Sequence, residues 1–106
     1  MIYILLPCYN EYQNLDTIID KINSLSLQKK ITFKIIIIND GSSDETHEKI
    51  NKIKRKSKNK ILYIHHKKNM GLNMAMFSGF KKFLVSANFN DIVITLDADN
   101  SHPISL

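Results

Sequence analysis

One stretch constrains the fold more than any other. Residues 33–38, FKIIII, form a run that is apolar but for Lys34, rich in β-branched side chains, and that breaks abruptly into Asn39-Asp40-Gly41. A strand with one wet face would alternate polar and apolar residues, whereas a run of this kind suits a strand covered on both faces in a parallel sheet. Further short apolar runs at residues 2–6, 61–64 and 92–96 read as strands of the same sheet. Helical patterns lie between them. The first opens at Asn14 or Asp16 and sets Leu15, Ile18, Ile19, Ile22 and Leu25 on one face. The second follows Gly41, with Ser42 and Glu45 as a capping box, or with Ser43 or Asp44 as the cap. Its apolar residues are chiefly Ile50 and Ile53, and its basic C-terminal end complements the helix dipole. Gly71 leads into the third, whose buried face is expected to hold Met76, Phe80, Phe83, Leu84 and Ala87, with Met70 and Met74 as core filler. Strands alternating with helices predict βαβ units with right-handed crossovers: one α/β domain with a mostly parallel four-stranded sheet and three helices.

In such a sheet ligands bind outside the carboxyl ends of the strands, where the strand order reverses. The polar clusters of this chain fall at those ends. Pro7-Cys8-Tyr9-Asn10-Glu11 follows the first strand, Asn39-Asp40-Gly41-Ser42-Ser43-Asp44 the second, His65-His66-Lys67-Lys68-Asn69 the third and Asp97-Ala98-Asp99 the fourth. Alternate residues of an extended chain point the same way, so Asp97 and Asp99 can face one point in space. Two hard oxygen donors there suit Mg²⁺ or Mn²⁺, ions that usually share their shell with substrate phosphates. A lone pair of this kind also arises as a turn in which Asp bonds nearby amides. Its companions decide for the metal.

Each other cluster has a plain alternative. Asp40 stands at a strand end before a glycine, where a carboxylate can accept hydrogen bonds from a nucleobase edge; Ser42, Ser43 and Asp44 read as turn and cap. Pro7 blocks further ladder bonding. Tyr9 can pack on the core or stack on a base. Glu11 can bond a ribose or base donor, or can serve as a favourable charge before the first helix. His47, His65, His66 and His102 have no zinc spacing and read as surface or loop histidines. Lys67 and Lys68 can meet a diphosphate or remain solvated. No glycine-rich phosphate loop follows the first strand, which excludes dinucleotide-binding and Walker-type readings.

The chain has 106 residues, 43% of them hydrophobic, with 15 Lys+Arg against 10 Asp+Glu. That fits a single small core, and the net charge of +5 favours anionic partners. The basic run at residues 49–60 has no aromatic interleaving for base stacking, so it reads as a solvated helix face and no nucleic-acid partner is expected; acidic lipid headgroups are an alternative contact. Cys8 is the only cysteine, which points to a reducing compartment. No signal peptide or membrane-spanning stretch is read from the sequence, so a cytoplasmic chain is expected, peripheral to a membrane at most.

The segments LPCYNEYQNL, IIIINDGSSDET, NMGLNMAMFSGF and DIVITLDADNSHP, in this order, resemble the N-terminal half of family 2 glycosyltransferases of the GT-A fold. LDADNSHP and NMGLNMAMFSGF look nearest to the dolichol-phosphate mannose synthase-like, polyprenyl-phosphate branch. The resemblance covers essentially the whole chain. It implies a Rossmann-like half-domain that binds a nucleotide-diphosphate sugar of GDP-mannose or UDP-glucose type. It further implies transfer of the hexose to a polyprenyl phosphate or another glycan acceptor. By position, Pro7, Tyr9 and Glu11 match the family's first nucleotide-contacting loop, and Ile38 and Asp40 match its strand-two contact to base and ribose. Asp97, Ala98 and Asp99 match its DxD segment, where the carboxylates hold the divalent ion. Ser101 stands where the nearest branch often has Gln, as a further metal contact. Asn39 replaces a more frequent Asp. The catalytic base and the acceptor half are expected beyond Leu106. This leaves a truncated nucleotide-binding module as the alternative, and self-association through exposed apolar surface as an expectation.

Overall fold

The computed structural model describes residues 1–10, 12–42 and 44–96. Strands and helices alternate: β1 (Ile2–Cys8), α1 (Tyr12–Lys29), β2 (Phe33–Asp40), α2 (Asp44–Lys56), β3 (Lys60–His66), α3 (Leu72–Ser86) and β4 (Ile92–Thr95). The sheet runs β3-β2-β1-β4 and every pairing is parallel. From β1 the chain steps outward twice, through α1 and α2. It then returns through α3 to the far side of β1. The order therefore reverses between β1 and β4, at the switch point where open α/β sheets bind ligands.

The handedness of the crossovers explains the layers. Steps in opposite directions along a sheet put their helices on opposite faces when each is right-handed. Ile4, Leu6, Cys8, Phe33, Ile35 and Ile37 accordingly pack against α1 and α2, through Leu15, Ile18, Ile19, Ile22, Ile50 and Ile53. Their neighbours Tyr3, Leu5, Ile36 and Ile38 turn the other way and pack against α3 at Ala75. Ile35, Ile36, Ile37 and Ile38 are fully buried, each contributing about 2–3 kcal/mol of hydrophobic stabilisation. The run that reads as covered on both faces is covered on both faces.

Two expectations are corrected. Pro7 does not end the first strand, which continues to Cys8 with Pro7 in register with Ile38. The Leu5 carbonyl accepts from Leu96, on the β4 side. Residues two apart address the same neighbour, so the missing N–H of Pro7 also falls on the β4 side, past the Leu5–Thr95 pair that ends that ladder. No bond to β2 is lost. The second correction concerns α3, which meets the sheet through small residues. A Cβ on Gly79 would stand 2.8 Å from Leu5 Cδ2 and 2.9 Å from Ile38 Cδ1. That close approach leaves Met76, Phe83 and Ala87 partly packed, but Phe80 and Leu84 exposed at 39% and 74%, with Met70 and Met74 exposed as well. Phe77, Val85 and Phe89 are also exposed.

At the amino edge, Asn59 joins three segments. Its Oδ1 accepts from the Phe33 N–H at 2.8 Å and its Nδ2 donates to Asn23 Oδ1 at 2.8 Å. Asp91 lies at this edge too, accepting from the Asn88 N–H at 2.8 Å. The charges of α2 are mostly solvated, with Lys49 paired to Asp16 of α1 at 2.7 Å. Among the described residues no helix is long and apolar enough to cross a membrane.

Candidate functional site

The carboxyl ends of β1 and β2 open onto a cleft of about 160 Å³. Pro7, Cys8 and Tyr9 line it from the first strand, Asp40 from the second, Asn69 and Gly71 from the segment after β3, and Leu72 and Ala75 from the start of α3. A larger groove of about 580 Å³ between α1 and α2 is lined largely by charged residues such as Asp16, Asp20, Lys49 and Lys52, and by none of the candidate site residues. Size does not locate the site; the strand ends do.

Asp40 is the centre of this arrangement. Its Oδ1 accepts from His66 Nδ1 at 2.9 Å and from the Met70 N–H at 2.9 Å. Its Oδ2 accepts from the Gly71 N–H at 3.0 Å. Burial pushes the carboxyl pKa up, but the hydrogen bond from His66, those from the two main-chain amides and the nearby imidazole charge outweigh it, so the net position is below the ordinary value. The side chain is therefore held as a carboxylate. Register explains the pairing: Asp40 and His66 are opposite one another in the parallel β2–β3 ladder, and both lie on the face that carries Ile38 and Ile64.

The turn after β2 is fixed by contact with the chain after β3. Gly41 has φ +77, and a Cβ there would lie 2.2 Å from the Asn69 nitrogen and 2.3 Å from the Lys68 carbonyl carbon. Only glycine admits both the conformation and the approach. Ser42 is drawn into the same junction. Its N–H donates to Asn39 Oδ1 at 2.9 Å and its Oγ accepts from the Asn10 N–H at 2.8 Å. The hydroxyl expected to serve in a capping box instead ties the first loop to the second. On the α2 face, Asn39 Nδ2 donates to the Tyr63 hydroxyl at 3.0 Å, which also meets His47 Nδ1 at 2.8 Å. Burial raises the Tyr63 pKa against the opposing Asn39 hydrogen bond.

Pro7, Tyr9 and Asp40 thus share one cleft, with Tyr9 exposed at 47% and free to present its ring. Ile38 lies below it, wholly buried against α3, where it presents no side-chain surface to the cleft. Glu11, Asp97, Ala98, Asp99 and Ser101 lie outside the described residues. Leu96 lies beside β1, its N–H bonded to the Leu5 carbonyl at 3.0 Å. The divalent-ion ligands read from the sequence are thus outside the description, and the described residues hold no group of three or more His, Cys, Asp or Glu able to bind a metal.

Sequence reasoning missed His66. It is not a loop or surface histidine: it closes β3, and its side chain is 12% exposed. The alternation Leu62, Ile64, His66 carried the signal, because it extends one apolar face by a polar residue.

A parallel, doubly wound sheet whose carboxyl edge gathers a carboxylate, an exposed aromatic ring and a helix start places the chain among the open α/β domains that hold ligands at a topological switch point. The chain belongs to glycosyl transferase family 2, whose family model matches residues 3–106. It is 40% identical over 95 residues to a poly-beta-1,6-N-acetyl-D-glucosamine synthase of Staphylococcus aureus (strain COL), a match that covers 90% of this chain and 21% of the relative. It is 32% identical over 100 residues to a dolichol-phosphate mannosyltransferase of Pyrococcus furiosus, covering 94% and 26%. It is 30% identical over 100 residues to an undecaprenyl-phosphate 4-deoxy-4-formamido-L-arabinose transferase of Pseudomonas fluorescens, covering 94% and 28%. The chain spans between a fifth and three-tenths of these relatives' length.

Proposed function

We propose that residues 1–106 form the donor-binding part of a glycosyltransferase that takes a hexose from a nucleotide-diphosphate sugar. The observation that carries this reading is the convergence of Pro7, Tyr9, Asp40, Asn69 and Gly71 on one cleft at the sheet's carboxyl edge. In it Asp40 accepts a hydrogen bond from the base or ribose, Tyr9 stacks on the nucleotide, and Pro7 gives the cleft a rigid wall. Glu11 and the main chain at Ile38 complete the contacts on this reading. Asp97 and Asp99, with Ser101, supply a hard-oxygen donor set suited to Mg²⁺ or Mn²⁺, and such an ion offsets the charge that grows on a departing nucleoside diphosphate. The acceptor is a polyprenyl phosphate or a growing glycan. The first is favoured by the names of the undecaprenyl- and dolichol-phosphate relatives, the second by that of the poly-N-acetylglucosamine synthase. A chain working on a polyprenyl phosphate meets it at a membrane surface.

Calorimetric titration with GDP and UDP, with and without Mn²⁺, tests the reading. Binding is expected to tighten by about tenfold or more with the ion, and Asp99→Ala is expected to abolish that gain without changing the circular dichroism. Binding that is absent, or indifferent to both Mn²⁺ and Asp99→Ala, would overturn the metal-assisted donor site. Nucleotide binding with no transfer or hydrolysis of the sugar would assign these residues to holding the donor alone.

A further inference from the structure

We propose that His66 is the positioning residue of the cleft: it fixes the Asp40 carboxylate so that one acceptor site, on Oδ2, is left for the ligand. This rests on reading the cleft as the nucleotide site. The argument is a count of hydrogens and lone pairs. Each carboxylate oxygen has about two acceptor positions. On Oδ1 both are taken, by His66 Nδ1 and by the Met70 N–H. On Oδ2 one is taken, by a Gly71 N–H that is itself shared with Asn69 Oδ1 at 3.0 Å. Oδ2 is therefore the less committed oxygen. It can take a single N–H or O–H donor from a nucleobase or a ribose.

The imidazole is held at both ends. A carboxylate can only accept, so Nδ1 carries the proton toward Asp40. Nε2 lies 2.9 Å from Ser78 Oγ in the middle of α3. A hydroxyl can donate to a bare Nε2 or accept from a protonated one, so this contact survives either state of the ring. The connections close a circuit. Ser78 of α3 holds His66 of β3, His66 holds Asp40 of β2, and Asp40 holds Met70 and Gly71 at the entrance of α3. Without the Nδ1 donor the carboxylate can rotate, and both the amides and the ligand lose their acceptor together.

Two replacements of the ring separate this role from simple packing. His66→Asn offers an amide N–H near the position of Nδ1; His66→Gln offers one near Nε2 and leaves Asp40 without its donor. The ligand-free readout is amide hydrogen exchange at Met70 and Gly71; the ligand readout is affinity for GDP and UDP. With His66→Gln, exchange at both amides is expected to speed up by about tenfold and nucleotide affinity to fall by a similar factor, the effect of one charge-assisted hydrogen bond. With His66→Asn, both are expected to stay within about threefold of the parent. Ser78→Ala, which frees the far end of the ring, is expected to move both readouts in the direction of His66→Gln. It decides the matter if the ring variants do not fold. Unchanged exchange and affinity in His66→Gln, equal damage in His66→Asn, or an inert Ser78→Ala alongside unfolded ring variants would each overturn the proposal. If the parent binds neither nucleotide, the donor-site reading fails and with it the ligand's claim on Oδ2. A parent that binds nucleotide beside a His66→Gln that binds equally well leaves the donor site standing and removes His66 from it.

Discussion

Gly41→Ala is expected to lose about 3–5 kcal/mol of stability, which denaturant unfolding of variant and parent measures directly. Two costs combine. At φ +77 an alanine side chain is strained whatever surrounds it. In addition its Cβ would overlap the main chain at Asn69 and Lys68, at 2.2 and 2.3 Å, and backbone atoms cannot step aside as the end of a flexible side chain can. The segment after β3 must shift. That weakens the bonds from the Met70 and Gly71 amides to Asp40, which adds about 2 kcal/mol in all. Gly71→Ala is the control. Gly71 also has a positive φ, +93, but a Cβ there meets nothing within 4 Å. It should show the backbone strain alone, about 1–3 kcal/mol. Equal losses in the two variants would mean that the approach of the two loops is not what fixes this turn.

Asp40→Ala is expected to lose about 3–4 kcal/mol at neutral pH and to abolish nucleotide binding. It removes the acceptor of an imidazole N–H and of two main-chain N–H groups at a residue 4% exposed. Met70 is an exposed residue, so water can replace part of what its N–H loses, which keeps the loss below the sum of the separate bonds. Asp40→Asn should fall between parent and Ala, because its one oxygen can serve the donors on the Oδ1 side while its amide faces the Gly71 N–H as donor against donor. Acid titration adds a signature. The folded-state pKa lies below the ordinary 3.8, so the carboxylate's contribution is complete above that value. It is lost as pH falls through the lower, folded-state value. The stability gap between parent and Asp40→Asn should therefore narrow in acid. A gap independent of pH would mean that charge plays no part in holding the loops.

Much of the fold was legible because the signals were local. FKIIII followed by Asn-Asp-Gly, with 3- and 4-residue spacing of Leu15, Ile18, Ile19 and Ile22, states a doubly covered strand and an amphipathic helix without reference to anything distant. The face of α3 was misread for the opposite reason. Its apolar residues surround the helix, so periodicity could not choose among them. The choice fell to Ala75 and Gly79, whose small size lets the helix approach Leu5 and Ile38. The strand end at Pro7 was also beyond local reading, because it depends on which neighbour each residue of β1 addresses.

The sequence by itself determined the alternation of strands and helices, the parallel pairing and the fact that polar clusters follow the first three strands, since composition and alternation are properties of neighbouring residues. Only the tertiary structure decided that Asp40 meets His66, Met70 and Gly71, and that Gly41 lies against Lys68 and Asn69. Those partners are 26 to 31 residues from Asp40 in the chain. Their contact depends on the β2–β3 register and on the path of the chain into α3, which are settled by packing of the whole sheet.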